Sequence, residues 1–360
     1  MIPFQIDNDI KKAETIPARF YNEDDFFQLS VDKIWKSSWQ FATDSSKLQN
    51  PGDQFPYTFL PEVVNEPLLL TQDKSQQLHC LSNVCTHRAK VLVEEPTKNR
   101  LISCGYHGRC FRLDGSFKSM PCFEQVENFP SEKDNLHSYP LKSFGKLLFT
   151  SITPSIDFDQ LIAPMKERLN WLDLDQLEFI EEESTDYFIN AHWALYCDNY
   201  LEGFHIPFVH PALNQAIDFP SYTYELFPYC NLQLGIAKEG EPCFDIPKGS
   251  IDFGKNVYAY YFWVFPNMMF NFYPWGLSLN IVQPLSKNKT KISFRTYKFP
   301  NTTFNSQDNQ LHITELEDEA VVESVQKGIQ SGHYSRGRYA PEMEVAVHHF
   351  HQLIEKHINA

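Results

Sequence analysis

The chain changes its hydrophobic rhythm three times. Over residues 24–39, "DDFFQLSVDKIWKSSW", apolar positions recur three and four apart, which predicts one amphipathic helix from about Asp24 to Trp39. From about Phe41 to Thr150 the texture shifts to short apolar runs between turn residues. "EPLLLTQ", "LHCLSNV", "NRLISC" and "GKLLFTSI" predict strands, and "NPGD", "LDGS" and "PTKN" predict turns, so this stretch reads as a small antiparallel β domain. "SITPSIDFDQLIAPMKERLNWL" reads as a linker leading into a helix. Beyond it lie long strands, as in "NVYAYYFWVFPNMMFNFYPWGLSLNIVQPL", and a C-terminal helix beginning near Thr314. Acidic residues are expected to crowd that helix's first turn, where its positive end favours them. The expected organisation is α+β. An N-terminal helical segment (1–40) packs on a catalytic domain (151–360), and a β domain (41–150) lies between them in sequence.

Composition narrows the function. Of the 360 residues 42% are hydrophobic, enough for a substantial core, and 15% are aromatic, enough to wall a cavity as well. A formal charge of −15 opposes nucleic acid and anionic membranes as partners. The opening "MIPFQIDNDIKKAETIPARF" lacks the pattern of a secretory signal, and no run of eighteen apolar residues occurs, so a cytoplasmic, non-membrane protein is expected. The eight cysteines are scattered, which in such a chain points to metal ligation or buried thiols rather than staples.

Two Cys/His pairs carry the first chemistry. "CTH" supplies Cys85 and His87; "CGYH" supplies Cys104 and His107. Two thiolates and two imidazoles could hold one zinc ion, but structural zinc usually takes its hairpin pairs at spacings of two to four. The one-residue gap in "CTH" is awkward for a single ion. It is natural when the cysteine and histidine of each loop go to different metals, as in a Rieske [2Fe–2S] centre. The other six cysteines (80, 110, 122, 197, 230 and 243) read as buried thiols.

The second constellation is "NYLEGFHIPFVH", residues 199–210. His205 and His210 are five apart, which a straight helix would place roughly 140° from one another, and Pro207 between them would break or distort it. Two imidazoles and a carboxylate on one face of an iron leave positions open for oxygen and substrate. Alone, the stretch reads equally as two structural histidines near a turn.

Both Cys/His motifs, the following "HGRCFRLDGSF" and the Asp114-Gly115 turn resemble the Rieske domain of ring-hydroxylating oxygenases; Ala89 departs from it, since glycine is common there. "NYLEGFHIPFVH" resembles the mononuclear-iron motif of the same family, and "LEDEAVVESVQKG" resembles the segment carrying its aspartate ligand. The resemblance therefore implies iron ligands His205, His210 and Asp318. It leaves Glu317 and Glu319 as solvated charges at a helix start. It implies a helix-grip catalytic domain, with an antiparallel sheet around a long C-terminal helix, and a homotrimer. In the trimer an acid at position 202 lies between one subunit's Rieske histidine and the next subunit's iron ligand. Glu202 stands where ring dihydroxylating members have aspartate, and in this it resembles the choline and carnitine monooxygenases. Asn199 is placed beside the iron, and Phe204, Tyr273 and Trp275 in the substrate pocket, whose aromatic wall suits a flat aromatic or an alkylammonium. The implied activity is O2 activation with electrons from NAD(P)H, delivered by a separate reductase with or without a ferredoxin. Three readings stay open: a monooxygenase or demethylase on a quaternary ammonium compound, a ring-hydroxylating dioxygenase, and an Fe–S electron carrier. The His348, His349 and His351 cluster in "AVHHFHQLIEK" reads as structural.

Overall fold

The computed structural model describes residues 4–211, 213, 218, 221–300, 302 and 310–360. The chain divides into two compact units, Ser37–Pro154 and Met1–Lys36 with Ser155–Ala360.

The Ser37–Pro154 unit is built of small antiparallel sheets, because its apolar runs are short and punctuated. The main sheet runs in the order Thr97–Lys98, Asp53–Phe59, Glu66–Gln72, Leu78–Ser82 and Ser138–Tyr139. The "PTKN" segment is thus partly strand: Thr97 and Lys98 pair with Gln54 and Asp53 and cover an edge that would otherwise leave backbone groups unpaired. A three-stranded sheet of Ile102–Ser103, Cys110–Phe111 and Phe117–Ser119 lies within the same core, where Leu69, Leu81, Ile102, Phe111 and Leu113 bury Cys85 and Cys104 among them. Arg109 is only 2% exposed. It pairs with Asp134 at 2.7 Å and lies over the rings of Phe111, Phe117 and Phe129, so its charge is compensated.

The second unit is dominated by a seven-stranded, wholly antiparallel sheet. Its order is Glu178–Ile189, Lys289–Lys298, Gly276–Ser286, Met268–Tyr273, Val257–Val264, Cys230–Ile236 and Thr223–Phe227. Every residue of the central Met268–Tyr273 strand is buried, so both faces are covered, and its sequence is apolar or aromatic apart from Asn271 instead of alternating. The hairpin closing this strand needs Gly276, since a Cβ there would stand 2.0 Å from the Tyr297 carbonyl oxygen. Helix Trp193–Tyr200 packs on the sheet and against helix Gln310–Ile329.

Three expectations change. The N-terminal helix is not continuous to Trp39. It runs Asp24–Ser30 and then widens into a π turn, Val31–Trp35, which turns Ile34 and Trp35 inward and sets Trp35 edge-on to Trp193 at 4.8 Å. The C-terminal helix starts at Gln310, and its first turn holds no acid. Glu315, Glu317, Asp318 and Glu319 therefore lie in its second and third turns, where the helix dipole no longer accounts for them. Pro207 does not break a helix; it stands in the first turn of the short Ile206–Val209 helix, where no backbone donor is needed.

Candidate active site

In the Ser37–Pro154 unit two loops share one backbone geometry. The Cys85 N–H donates to the Lys90 carbonyl (2.9 Å) and the Ala89 N–H to the Cys85 carbonyl (2.9 Å). Equivalently, the Cys104 N–H donates to Arg109 (2.8 Å) and the Gly108 N–H to Cys104 (3.1 Å). Both loops turn through a left-handed residue four after the cysteine, Ala89 (φ 53) and Gly108 (φ 73). The sequence departure at Ala89 is thus a non-glycine residue in a glycine conformation. The loops bring the His87 and His107 rings to 4.9 Å between centroids. The two thiols are buried, His87 is half-buried and His107 is exposed. Burial pushes the Cys85 thiol up, and adjacent Cys104 adds to this, so a cation beside Cys85 would favour its thiolate. A donor set with sulfur inside and imidazole outside fits a cluster whose outer iron carries the histidines.

In the other unit the three iron-ligand candidates converge. His205 and His210 cap the two ends of the Ile206–Val209 helix, and Asp318 projects from helix Gln310–Ile329. The His205 and His210 Nε2 atoms are 3.1 Å apart, and Asp318 Oδ1 lies 3.0 Å from His210 Nε2 and 3.5 Å from His205 Nε2. Ligands about 2.1 Å from one ion at 90–110° to each other would be roughly 3.0–3.4 Å apart, so these spacings suit one face of a metal. The outer edges of both rings agree with this. His205 Nδ1 lies 2.7 Å from Glu202 Oε1, and His210 Nδ1 lies 2.7 Å from Glu317 Oε2. Carboxylates accept, so each Nδ1 carries the proton and each Nε2 presents a lone pair. Two lone pairs facing at 3.1 Å repel unless a cation lies between them. Burial opposes charging of His210, but Asp318 and Glu317 outweigh it and raise its pKa, and the same carboxylates favour a divalent ion.

Glu317 is the residue the sequence reading misplaced: it is a hydrogen-bond partner of His210 and not a solvated charge. Glu202 holds His205 twice, through Nδ1 and through the backbone N–H (2.9 Å). Glu319 is half-buried, with one oxygen unpartnered among the described residues, and burial raises its pKa.

Above the triad lies a cavity of about 140 Å³, lined by Tyr196, Asn199, Tyr200, Tyr222, Tyr261, Tyr273 and the polar Asn271, Asn280 and Gln233 among others. Asn199 and Tyr273, both named in the sequence, line this cavity. Trp275 is not on the wall; it stacks flat on Tyr273 at 5.0 Å and 8°, backing that ring. Phe204 is not there either. It follows a bend at Gly203, is 43% exposed and contacts Phe208 instead. Tyr196, Tyr200, Tyr222 and Tyr261 were not singled out in the sequence, because in a chain with 17 tyrosines nothing local marks the ones facing a cavity. Glu315, also on the wall, is 4% exposed; burial raises its carboxyl pKa, opposed by a hydrogen bond from Tyr196. On the far side, Glu202 and His205 line a second cavity of about 270 Å³ with Asp198 and His351.

The cysteines outside the motif divide. Cys80, Cys197 and Cys230 are buried as expected, whereas Cys110 is half-buried and Cys122 and Cys243 are exposed. The C-terminal histidines are structural. His351 bonds Tyr339 (2.6 Å) and Asp198 (2.8 Å), and His348 bonds the Asp7 carbonyl (2.7 Å).

Known proteins match both units. Residues 38–130 match the family described as Rieske [2Fe-2S] domain, and residues 250–360 match the ring hydroxylating alpha subunit (catalytic domain). The chain is 28% identical to the chloroplastic choline monooxygenase of Arabidopsis thaliana, over 97% of this chain and 84% of that protein. It is 27% identical to the carnitine monooxygenase oxygenase subunit of Escherichia coli (strain K12), over 96% and 94%. In fold it is similar to the quaternary ammonium Rieske monooxygenase CntA solved with L-carnitine (TM-score 0.80, 22% identity, 99% of each chain). It is also similar to naphthalene 1,2-dioxygenase from Rhodococcus sp. (TM-score 0.73, 16% identity, 96% and 94%). Two metal-binding constellations, each in the unit whose family carries it, and relatives matching nearly the whole length lead to one assignment: the chain is an oxygenase alpha subunit of the Rieske non-haem iron oxygenases, with a [2Fe–2S] centre and a mononuclear iron.

Proposed function

We propose that this chain is the terminal oxygenase of a monooxygenase system that hydroxylates or demethylates a small quaternary ammonium compound. The observation that carries the substrate class is the tyrosine-walled cavity directly above the His205, His210 and Asp318 triad. Stacked or edge-on rings hold a cationic head through their faces. That the choline and carnitine monooxygenases are relatives over nearly the whole chain supports the same class. Likeness to naphthalene 1,2-dioxygenase is one of fold, and no observation at the cavity favours a cis-diol product.

Cys85, Cys104, His87 and His107 would hold the cluster, and His205, His210 and Asp318 the iron. The bound groups supply one-electron transfer and O2 activation. What the chain's own residues do follows from the geometry. Glu202 and Glu317 keep the Nδ1 protons in place, so both imidazoles remain σ-donors through Nε2. The tyrosine wall orients the substrate and keeps bulk water from it, while the neutral amides of Asn199, Asn271, Asn280 and Gln233 offer hydrogen bonds without charge.

The same reading includes a homotrimer, with Glu202 between neighbouring subunits, and a separate NAD(P)H reductase, with or without a ferredoxin, as electron donor. Support for oligomerisation is the outer face of helix Gln310–Ile329. The helix turns Glu315, Val322 and Gln326 inward and leaves the apolar Ile313, Leu316 and Val325 43–50% exposed. Phe208 is 79% exposed beside the iron motif. No helix among the described residues is long and apolar enough to cross a membrane. Six further cysteines, all free thiols, support a reducing, cytoplasmic location.

The test is O2 uptake with a surrogate reductase over choline, betaines, carnitine and simple aromatic acids. Quaternary ammonium compounds are expected to accelerate uptake; stimulation by aromatic acids alone, with a cis-diol product, would falsify the reading.

A further inference from the structure

The strand wall of the cavity is polar where a buried sheet face is ordinarily apolar. Cross-strand neighbours run Gln233, Tyr261, Asn271 and Ser278, and Asn280 follows Ser278 by two on the same face. Gln233, Asn271, Ser278 and Asn280 all line the cavity and are at most 6% exposed. Burying such groups is unfavourable unless their polar atoms find partners.

Their bonds divide them. Gln233 is engaged at both ends: Nε2 donates to the Tyr200 carbonyl (2.8 Å) and Oε1 accepts from the Tyr222 hydroxyl (3.3 Å). Asn271 and Asn280 are engaged at one. Asn271 Oδ1 accepts the Tyr200 hydroxyl (2.7 Å), and Asn280 Oδ1 accepts the Ser278 hydroxyl (2.9 Å). Neither Nδ2 has a partner among the described residues, and neither is closed off from solvent, so both open onto the cavity. An amide nitrogen donates and does not accept. Asn271 faces Ser278 in the register, so Asn271 and Asn280 are diagonal neighbours, roughly 7–8 Å apart at the backbone, and one small ligand can reach both. The triad with its metal, Glu202 and Glu315 belong to the helical side of the cavity, whereas these two donors belong to the sheet.

We propose that Asn271 and Asn280 are specificity-determining residues that donate hydrogen bonds to an oxygen acceptor on the substrate, and that the cavity selects oxygen-bearing substrates over analogues of the same shape and charge that lack the oxygen. This rests on the reading of the cavity as the oxygenase's substrate site and adds what its strand wall recognises. A ligand without the oxygen fills the same space, strips both nitrogens of hydration and leaves them unpaired. A site of that kind rejects the analogue more strongly than an apolar pocket does. Tyr200 and Ser278 act as positioning residues: by holding the carbonyl ends they fix which end of each amide meets the substrate.

The experiment is anaerobic isothermal titration calorimetry on the metal-loaded full-length protein with two pairs matched in shape and charge. These are choline against n-propyltrimethylammonium, and benzyl alcohol against ethylbenzene. Within the pair that binds, the wild type is expected to favour the hydroxyl member at least about 10-fold. Asn271→Leu and Asn280→Leu should each cut that ratio by about 3-fold or more, and the double variant should bring it near parity. Tyr200→Phe should lower it less, because the Asn271 amide stays but is free to turn. The cluster's visible absorbance reports folding in each variant, and the use of a ratio keeps a general loss of affinity from imitating the effect. A ratio undiminished in the double variant, or no preference in the wild type, overturns the assignment of the two amides with the quaternary ammonium reading intact. Binding of the benzyl pair alone overturns the quaternary ammonium reading, and the amide assignment then stands or falls on the benzyl ratio. Binding of no member of either pair overturns both.

Discussion

The two metal sites of this molecule are built by opposite strategies. In the Ser37–Pro154 unit all four donors come from two loops of the same backbone geometry within 23 residues, and the loops carry their own turn-making bonds. In the other unit the donors come from a short helix at 206–209 and from Asp318, more than a hundred residues on. Each imidazole is oriented by a carboxylate from a different element, Glu202 or Glu317. A local site depends on turn chemistry, whereas a distributed one depends on packing and on the acids that support its ligands. Mutations should therefore fail differently in the two.

The largest effect expected is at the ligands. Asp318→Ala should lower iron from about three to about two atoms per chain and take turnover to background, with the Rieske electron paramagnetic resonance signal intact. Cys104→Ser should remove that signal and leave about one iron. Loss of the cluster signal in Asp318→Ala would show that the two sites are not separable. One step smaller is the supporting shell. Glu317→Ala should weaken mononuclear iron about 10–100-fold, read by competition with a chelator, and Glu317→Gln should recover part because its amide oxygen still accepts from Nδ1. Unchanged affinity in Glu317→Ala would mean that His210 is held by packing alone.

Acid should separate the units next. His192 is fully buried among Phe20, Tyr21, Phe27 and Trp193, and its Nδ1 accepts the Ala194 N–H. Burial, aided by Lys287, pushes its pKa down to about 3. Its folded pKa lies below the unfolded value, so its contribution is complete above about 6.5 and erodes as pH falls towards 3, by roughly 2 kcal/mol between pH 6.5 and 5. In the Rieske unit, burial opposes the ionisation of Asp73, but bonds from Ser75, His79 and Gln77 outweigh it and lower its pKa to about 2. That contribution is present above about 3.8 and is lost only as pH falls through 2. Scanning calorimetry at pH 6.5 and 5 should show the catalytic unit's transition falling first, and equal losses in both units would contradict this. The smallest effect is Ala89→Gly, which relieves a left-handed alanine and should stabilise the Rieske unit by about 1 kcal/mol in denaturant unfolding. A destabilised variant would mean that the alanine methyl packs more than it strains.

How far the sequence could be read follows the same division. Cys85, His87, Cys104 and His107 were legible because ligand spacing along two loops is itself the geometry. His205 and His210 were legible only with the family's pattern beside them, and Asp318 only through it. Glu317 was read as solvated because helix Gln310–Ile329 begins four residues before the predicted start. One turn's difference changes which acids look like dipole partners and which face inward. Phe204 and Trp275 were misplaced because aromatic content says that a wall exists and not which ring forms it.

The sequence by itself determined the α+β class and the Cys/His donor set of the first site, which rest on residue identity and short-range spacing, and its resemblance to a family supplied the ligands of the second. Only the tertiary structure decided which carboxylates support the imidazoles, which tyrosines face the cavity and that Glu315 has one oxygen without a hydrogen-bond partner among the described residues. Those are properties of side chains brought together from distant positions, and local periodicity carries no record of what a helix meets across a cavity.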